Sequence, residues 1–257
     1  MAFGETSTPK TSTPKLGSTP IPGTPNPSGL GQMNGEFRRT YKSERYFLNG
    51  GDVFFLVGDC NFRVHSFFFI RESPTFQPFL LSHLNKGKGN SISTAIKLHK
   101  ATPEEFERFL WVFYNEKWGI YDAPVETWES VLKLSHIWCF PEVKALAVRE
   151  LQQLEFPAVD RAAMYQDHGV DEELIFPLIM ELCRREDNLT FDEAQKLGMA
   201  TAVCIYQGRE LLRSAPGSGG KSPLPKGLDD QEAQAKLKEL LTNSPFPKAR
   251  LEFFEDR

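Results

Sequence analysis

The sequence predicts an α+β fold: a small sheet of three to four strands flanked by a helical cluster, followed by a helical extension and preceded by a disordered tail. Three observations predict it. Residues 53–57 are an apolar run of strand length, Gly58-Asp59-Cys60-Asn61 has turn chemistry, and Phe62-Arg63-Val64-His65 alternates apolar with polar, which together signal a hairpin. Further on, Thr102-Pro103-Glu104-Glu105 and Thr190-Phe191-Asp192-Glu193 are capping boxes, each opening a helical period. Residues 1–42, by contrast, are rich in Thr, Ser, Pro and Gly, and Thr6-Ser7-Thr8-Pro9-Lys10 is repeated at once as Thr11-Ser12-Thr13-Pro14-Lys15. That composition cannot bury enough apolar surface to fold.

Taken in order, four regions emerge: the tail at 1–42, a mixed domain at 43–155, a helical extension at 156–213, and a flexible linker with a short C-terminal helix at 214–257. Within the mixed domain Tyr46-Phe47-Leu48 is a short strand candidate, and Asn49-Gly50-Gly51 turns the chain into the central strand. The run Phe67-Phe68-Phe69-Ile70 has no period of two and reads as helix. Ser73-Pro74 puts a capping hydroxyl before a proline at a first helical position, so residues 73–84 form the next helix, kinked or shortened by Pro78. Residues 86–90 are a Gly-Lys loop, and 92–98 a third strand. Behind the first capping box Phe106, Phe109, Leu110 and Phe113 make one apolar stripe. Trp128, Val131, Leu132 and Trp138 predict another helix, Val143, Leu146, Ala147, Leu151 and Leu154 a further one, with a break at Phe140-Pro141. In the extension Leu174, Leu178 and Leu182 share a face around Pro177, and Phe156, Met164, Ile175 and Phe176 are expected to share the domain's core. The second capping box opens a helix through Leu197, Thr201, Ile205 and Leu212. Residues 231–241 predict three helical turns with Ala233, Leu237, Leu240 and Leu241 on one side, and Phe246, Leu251, Phe253 and Phe254 follow as an apolar terminal cluster.

The stretch 50–81, with Gly51-Asp52-Val53, an apolar strand, an acidic turn, Phe62-Arg63-Val64-His65, an apolar helix and Ser73-Pro74-Thr75-Phe76, resembles the opening of the BTB (POZ) domain. More narrowly it is similar to the single-BTB proteins of mushroom-forming fungi, in which Tyr-Phe and a Gly-rich turn precede Asp-Val and a helical extension follows. The resemblance implies a non-enzymatic protein-interaction module that self-associates or pairs with another BTB chain as a homo- or heterodimer, and in some branches acts as a substrate-receptor adaptor on a cullin. It also implies that Asp52, His65, Ser73, Pro74 and Phe76 hold the fold, and that the third-strand region and helix 103–114 supply surface contacts. Three departures matter. Residues 84–91 lack the acidic residue that cullin-recruiting members carry there. Ser66 stands where transcription-factor members often have Arg. Only Phe37 and Tyr41 are candidates for the apolar helix that precedes the first strand in strongly dimeric relatives.

Charge narrows the partners. The 257 residues carry net charge −4 and a sequence pI of about 5.8. Five cations against two acids give residues 1–42 a charge of +3, leaving −7 for the rest. No basic face for nucleic acid is expected from such a balance. No apolar run approaches the ~20 residues of a membrane span, and no basic patch with an apolar core opens the chain. Cys60, Cys139, Cys183 and Cys204 lack metal-ligand spacing and read as buried thiols in a reducing, intracellular compartment, cytoplasmic or nuclear.

No catalytic, cofactor or metal constellation follows from these residues. Residues 215–222 nearly match a phosphate-cradling loop, but a polar helix precedes them and Pro223-Leu224-Pro225 follows, whereas the working loop joins a buried strand to a helix. His65, His83, His99, His136 and His168 are isolated from one another in sequence. Four Thr-Pro steps, at Thr8, Thr13, Thr19 and Thr24, match the minimal site of proline-directed kinases, and each phosphate would add up to about two negative charges to a basic tail.

Overall fold

The computed structural model describes residues 39–117, 119–213, 224 and 229–243. Four strands, β1 (Tyr41–Phe47), β2 (Val53–Val57), β3 (Cys60–Val64) and β4 (Ile96–Leu98), form one sheet in the order β1-β3-β2-β4. The hairpin at its centre is antiparallel, with Val57 opposite Cys60, so the turn is tighter than the sequence suggested: only Gly58 and Asp59 lie between the strands. Val53, Phe55 and Val57 are buried while Phe54 and Leu56 are half-buried, the alternation that a sheet with one covered face requires. Both outer strands run parallel to their inner neighbours.

Two strand expectations change. β1 is a seven-residue strand rather than the short Tyr46-Phe47-Leu48 segment, and Tyr41 belongs to it instead of to a preceding helix. Polar residues at an edge give no apolar alternation, so its length is not visible in composition. The third strand is only Ile96–Leu98, because residues 92–94 close into a 3-10 turn with Ser91 and Thr94 capping each other and Gly89 N–H donating to Thr94 O at 2.5 Å.

Helices α1 (Ser66–Glu72), α2 (Phe76–Asn85) and α3 (Pro103–Trp111) cover the inner face of the sheet, with α4 (Val125–Ile137) packed on α3 and α5 (Pro141–Gln153) on α4. The layer between them is aromatic: Phe55 meets Phe69, Phe76 and Phe106 at ring distances of 5.1, 6.0 and 6.0 Å, and Phe62 meets Phe106 edge-on at 4.8 Å. Such edge-to-face pairs add about 0.5–1.5 kcal/mol each beyond area burial. The Pro78 expectation resolves as shortening. Ser73 Oγ accepts the Phe76 N–H at 2.8 Å and Gln77 N–H reaches Ser73 O at 3.0 Å, so the first turn is capped from Ser73 and the regular helix begins at Phe76. The first capping box forms as expected: Glu105 N–H donates to Thr102 Oγ1 at 3.2 Å and Thr102 N–H to Glu105 Oε2 at 2.9 Å.

Beyond them lie α6 (Ala158–Asp167), α7 (Glu172–Arg184), α8 (Phe191–Leu197), α9 (Met199–Leu212) and α10 (Asp230–Asn243). Met164 and Ile175 are buried in the common core, and Phe156 and Phe176 pack against it half-buried. In α7 the buried residues are Ile175, Ile179, Met180, Leu182 and Cys183, so of the expected Leu174, Leu178 and Leu182 face only Leu182 is fully covered. The single helix expected after Thr190 is two, because Gly198 at φ +78° turns the chain between α8 and α9. α10 is docked through Ala233 and Leu237, both buried. Leu237 enters a notch that exists because residue 208 has no side chain: a Cβ there would lie 2.6 Å from Leu237 Cδ2 and 2.8 Å from Cys183 Sγ. Arg184 and Asp230 pair across the same junction at 2.6 Å.

Candidate interaction surface

Asp52, at the start of β2, reaches across to the amino end of α1. Its Oδ1 accepts the Ser66 N–H and its Oδ2 the Ser66 hydroxyl, both at 2.7 Å. α1 has no cap from its own preceding residue, so the carboxylate supplies the acceptor that the first turn lacks. His65 faces the other way. Its Nδ1 lies 3.0 Å from the Tyr114 hydroxyl, and the same oxygen takes the His65 backbone N–H at 3.0 Å. Ser73 donates through Oγ to Trp138 O at 2.6 Å, tying the α1–α2 corner to the end of α4. Phe76 is fully buried among Phe55, Phe69, Trp138 and Phe140, while Pro74 is exposed at the turn. Asp52 and His65 therefore meet at one end of α1 and Ser73 and Phe76 at the other.

Sequence reasoning missed two members of this frame. Ser66 drew notice only as the residue standing where transcription-factor members often have Arg. Tyr114 lies 49 residues from His65, and no local pattern announces their contact.

The titratable groups offer structure rather than chemistry. Burial pushes the Cys60 thiol up to about 11 and the Cys183 thiol up to about 12, so neither is a ready nucleophile. His136 and His168 do meet, with ring centres 6.3 Å apart where the α4–α5 hairpin abuts the α6–α7 turn. Burial and the neighbouring cations hold His168 down at about 4, and Lys144 bonds Gly169 O at 2.6 Å across the same seam. Among the described residues no three His, Cys, Asp or Glu side chains are grouped to hold a metal ion. The loop at 215–222, the four Thr-Pro sites and the terminal cluster from Phe246 to Phe254 lie outside the described residues.

What faces outward is uneven. On α3 the exposed positions are charged, Glu104 and Arg108, its apolar stripe being turned inward. Apolar exposure concentrates on α8 and α9, where Phe191 is 82% and Met199 81% exposed, with Val203 and Tyr206 following Met199 in the helical period of α9. Phe67 stands out from α1 with the Arg71 guanidinium 4.8 Å above its ring. Lys86 and Lys88 project from the loop that follows α2, and this loop is fastened to the sheet by the Phe54 N–H donating to Gly89 O at 2.8 Å. A cleft of about 580 Å³ lies between α7 and α10, lined by Phe176, Pro177, Met180 and Gln234. No helix among the described residues is long and apolar enough to cross a membrane.

Among curated proteins, no sequence matches this chain. Compared with known families, the stretch from the end of β1 through α5 has a clear counterpart, a domain whose general role is to bind other proteins. Residues 45–155 of the chain match the BTB/POZ domain family.

Proposed function

We propose that this chain acts without chemistry of its own, as an intracellular BTB protein of the single-BTB kind that self-associates or pairs with another BTB chain. The observation that carries the reading is the position of β1. Among the described residues it has a sheet neighbour on one side only, so its other edge offers a row of backbone donors and acceptors to a second chain. Its sequence suits an antiparallel copy of itself centred on Ser43: Lys42 then faces the partner copy's Glu44, and Tyr41 its Arg45. Opposite charges placed directly across an antiparallel pair contribute about 0.2–1 kcal/mol each. Asp52, His65, Ser73, Pro74 and Phe76 serve in this reading as the frame that holds the domain.

Light scattering at tens of micromolar, about the range of weak pairs, is expected to return twice the 29.2 kDa chain mass. Lys42→Glu is expected to shift it toward monomer, and adding Glu44→Lys to restore it. A monomer mass for the unaltered chain overturns the proposal. The cullin-adaptor alternative is disfavoured by residues 84–91, where Lys86 and Lys88 stand in place of a carboxylate; stoichiometric recovery of a cullin with the tagged chain would reverse that preference.

A further inference from the structure

We propose that the outer face of the sheet binds a short, extended acidic peptide of a partner protein, with the pattern acidic-x-apolar-x-acidic. This goes beyond self-association and does not depend on it, resting only on the protein-binding role of the domain. The register places one row across all four strands: Lys97 beside Leu56, Leu56 opposite Asn61, and Asn61 beside Lys42. Lys42 and Lys97, at its two ends, are exposed and Leu56 is half-buried, so the row lies on the face away from the helices, with Asn61 buried in its middle and donating through Nδ2 to Tyr41 O at 3.3 Å. Three interstrand steps of about 4.8 Å separate the two lysines by roughly 14 Å, and residues i and i+4 of an extended peptide, which lie on one side, are separated by roughly the same distance. Residue i+2, on the same side, then falls midway along the row, between Leu56 and Asn61.

The next row prepares the same chemistry. Phe54 lies opposite Arg63, which lies beside Phe47, and the two phenyl rings meet edge-on at 5.9 Å. Arg63 sits 5.4 Å over Phe54, half-buried, with its Nε donating to Gly51 O at 2.8 Å and its terminal amino groups without a partner among the described residues. Lys42 stands 4.6 Å over Phe47. Neither Lys42, Arg63 nor Lys97 has a carboxylate partner among the described residues, and Glu44 is the one acidic residue in the four strands. The deficit of acid extends along the chain, since residues 73–103 contain Lys86, Lys88, Lys97 and Lys100 and no Asp or Glu. Cations at this density in a chain of net charge −4 form a local positive field. A field confined to one face of a four-stranded sheet suits a peptide a few residues long.

The probe is a fluorescein-labelled pentapeptide, Asp-Ser-Phe-Ser-Asp, titrated with the full chain by anisotropy. Saturable binding that weakens with salt is expected, with loss of about tenfold in affinity for Lys97→Glu and for a scrambled peptide with its two acids adjacent. Lys97 is exposed and three strands from the β1 edge, so its variant leaves the light-scattering mass and the unfolding midpoint unchanged. Equal binding by Lys97→Glu or by the scramble overturns the proposal, as does tighter binding of single-stranded RNA or of phosphatidylserine vesicles. A monomer that still binds the peptide refutes self-association alone, and a dimer that does not bind it refutes this surface alone.

Discussion

Cys139 and Gly169 stand at the same point of the same turn, one after α4 and the other after α6. In both, the residue is left-handed, at φ +54° and +56°. In both, the following N–H reaches back five residues, Phe140 to Ser135 O at 2.8 Å and Val170 to Tyr165 O at 2.9 Å. This closing motif favours glycine, and a side chain held left-handed costs about 1–2 kcal/mol. Cys139→Gly should therefore raise stability by about 0.5 kcal/mol after the entropy that glycine adds to the unfolded chain. Cys139→Val should lower it. The urea midpoint decides both.

Tyr114 is the second anchor of the α1 corner. Removing its hydroxyl in Tyr114→Phe leaves the His65 N–H and Nδ1 without their common partner. A loss of about 1–2 kcal/mol in urea unfolding is expected, with the isolated pentapeptide affinity unchanged because the sheet face is untouched.

Gly208→Ala tests how α10 is held. The added methyl would meet Leu237 and Cys183 well inside contact distance, and α9 and α7 are packed too firmly to retreat. Hydrogen exchange should show α10 losing protection while β2 and β3 keep theirs. Uniform loss across the domain would mean instead that the notch is part of the global core.

Acid should open the seam at His168. Its folded value, about 4, lies below the ordinary 6.5 because burial, then His136, Lys133 and Lys144, disfavour the proton, with Glu105 opposing them. The unfolded chain therefore takes up the proton first. The stabilisation is complete above about pH 6.5 and declines as pH falls toward 4, by on the order of 3 kcal/mol in full. Paired carboxylates titrate lower still; Glu193, held at about 2 by Arg185 and the Thr190 backbone, contributes its loss below the ordinary carboxylate range. Urea midpoints measured from pH 7 to 4 should fall across this window, and His168→Gln should flatten the upper part of the fall.

Local pattern carried much of the fold into the sequence. The hairpin, both capping boxes and the break at Phe140-Pro141 are each decided within a few residues, by alternation, by a Thr hydroxyl facing its third neighbour, or by a proline that starts a helix. β1 was mostly invisible because an edge strand with Lys42, Glu44 and Arg45 outward has no apolar period. Residues 92–94 failed as strand because serine and threonine hydroxyls bond to their own neighbours, an alternative that composition does not price. Gly198 was passed over inside an otherwise continuous helical pattern. The frame residues Asp52, His65 and Ser73 stood out by motif, but their partners did not, since Tyr114 and Trp138 are brought to them by the whole domain. The cationic row on the sheet needed the register itself, as Lys42 and Lys97 come from opposite edges.

Sheet order also constrains the sequence of folding. Val57 and Cys60 close the hairpin across two residues, whereas Tyr41 meets Cys60 over 19 positions and Phe55 meets Ile96 over 41. Loop-closure entropy makes the longer of these outer contacts cost only about 0.7 kcal/mol more than the shorter, yet both cost far more than the hairpin. The central pair is thus the natural nucleus, with β1 and β4 annealing to it afterwards, and a chain emerging from the ribosome cannot complete its sheet until α2 and the lysine loop have already been made.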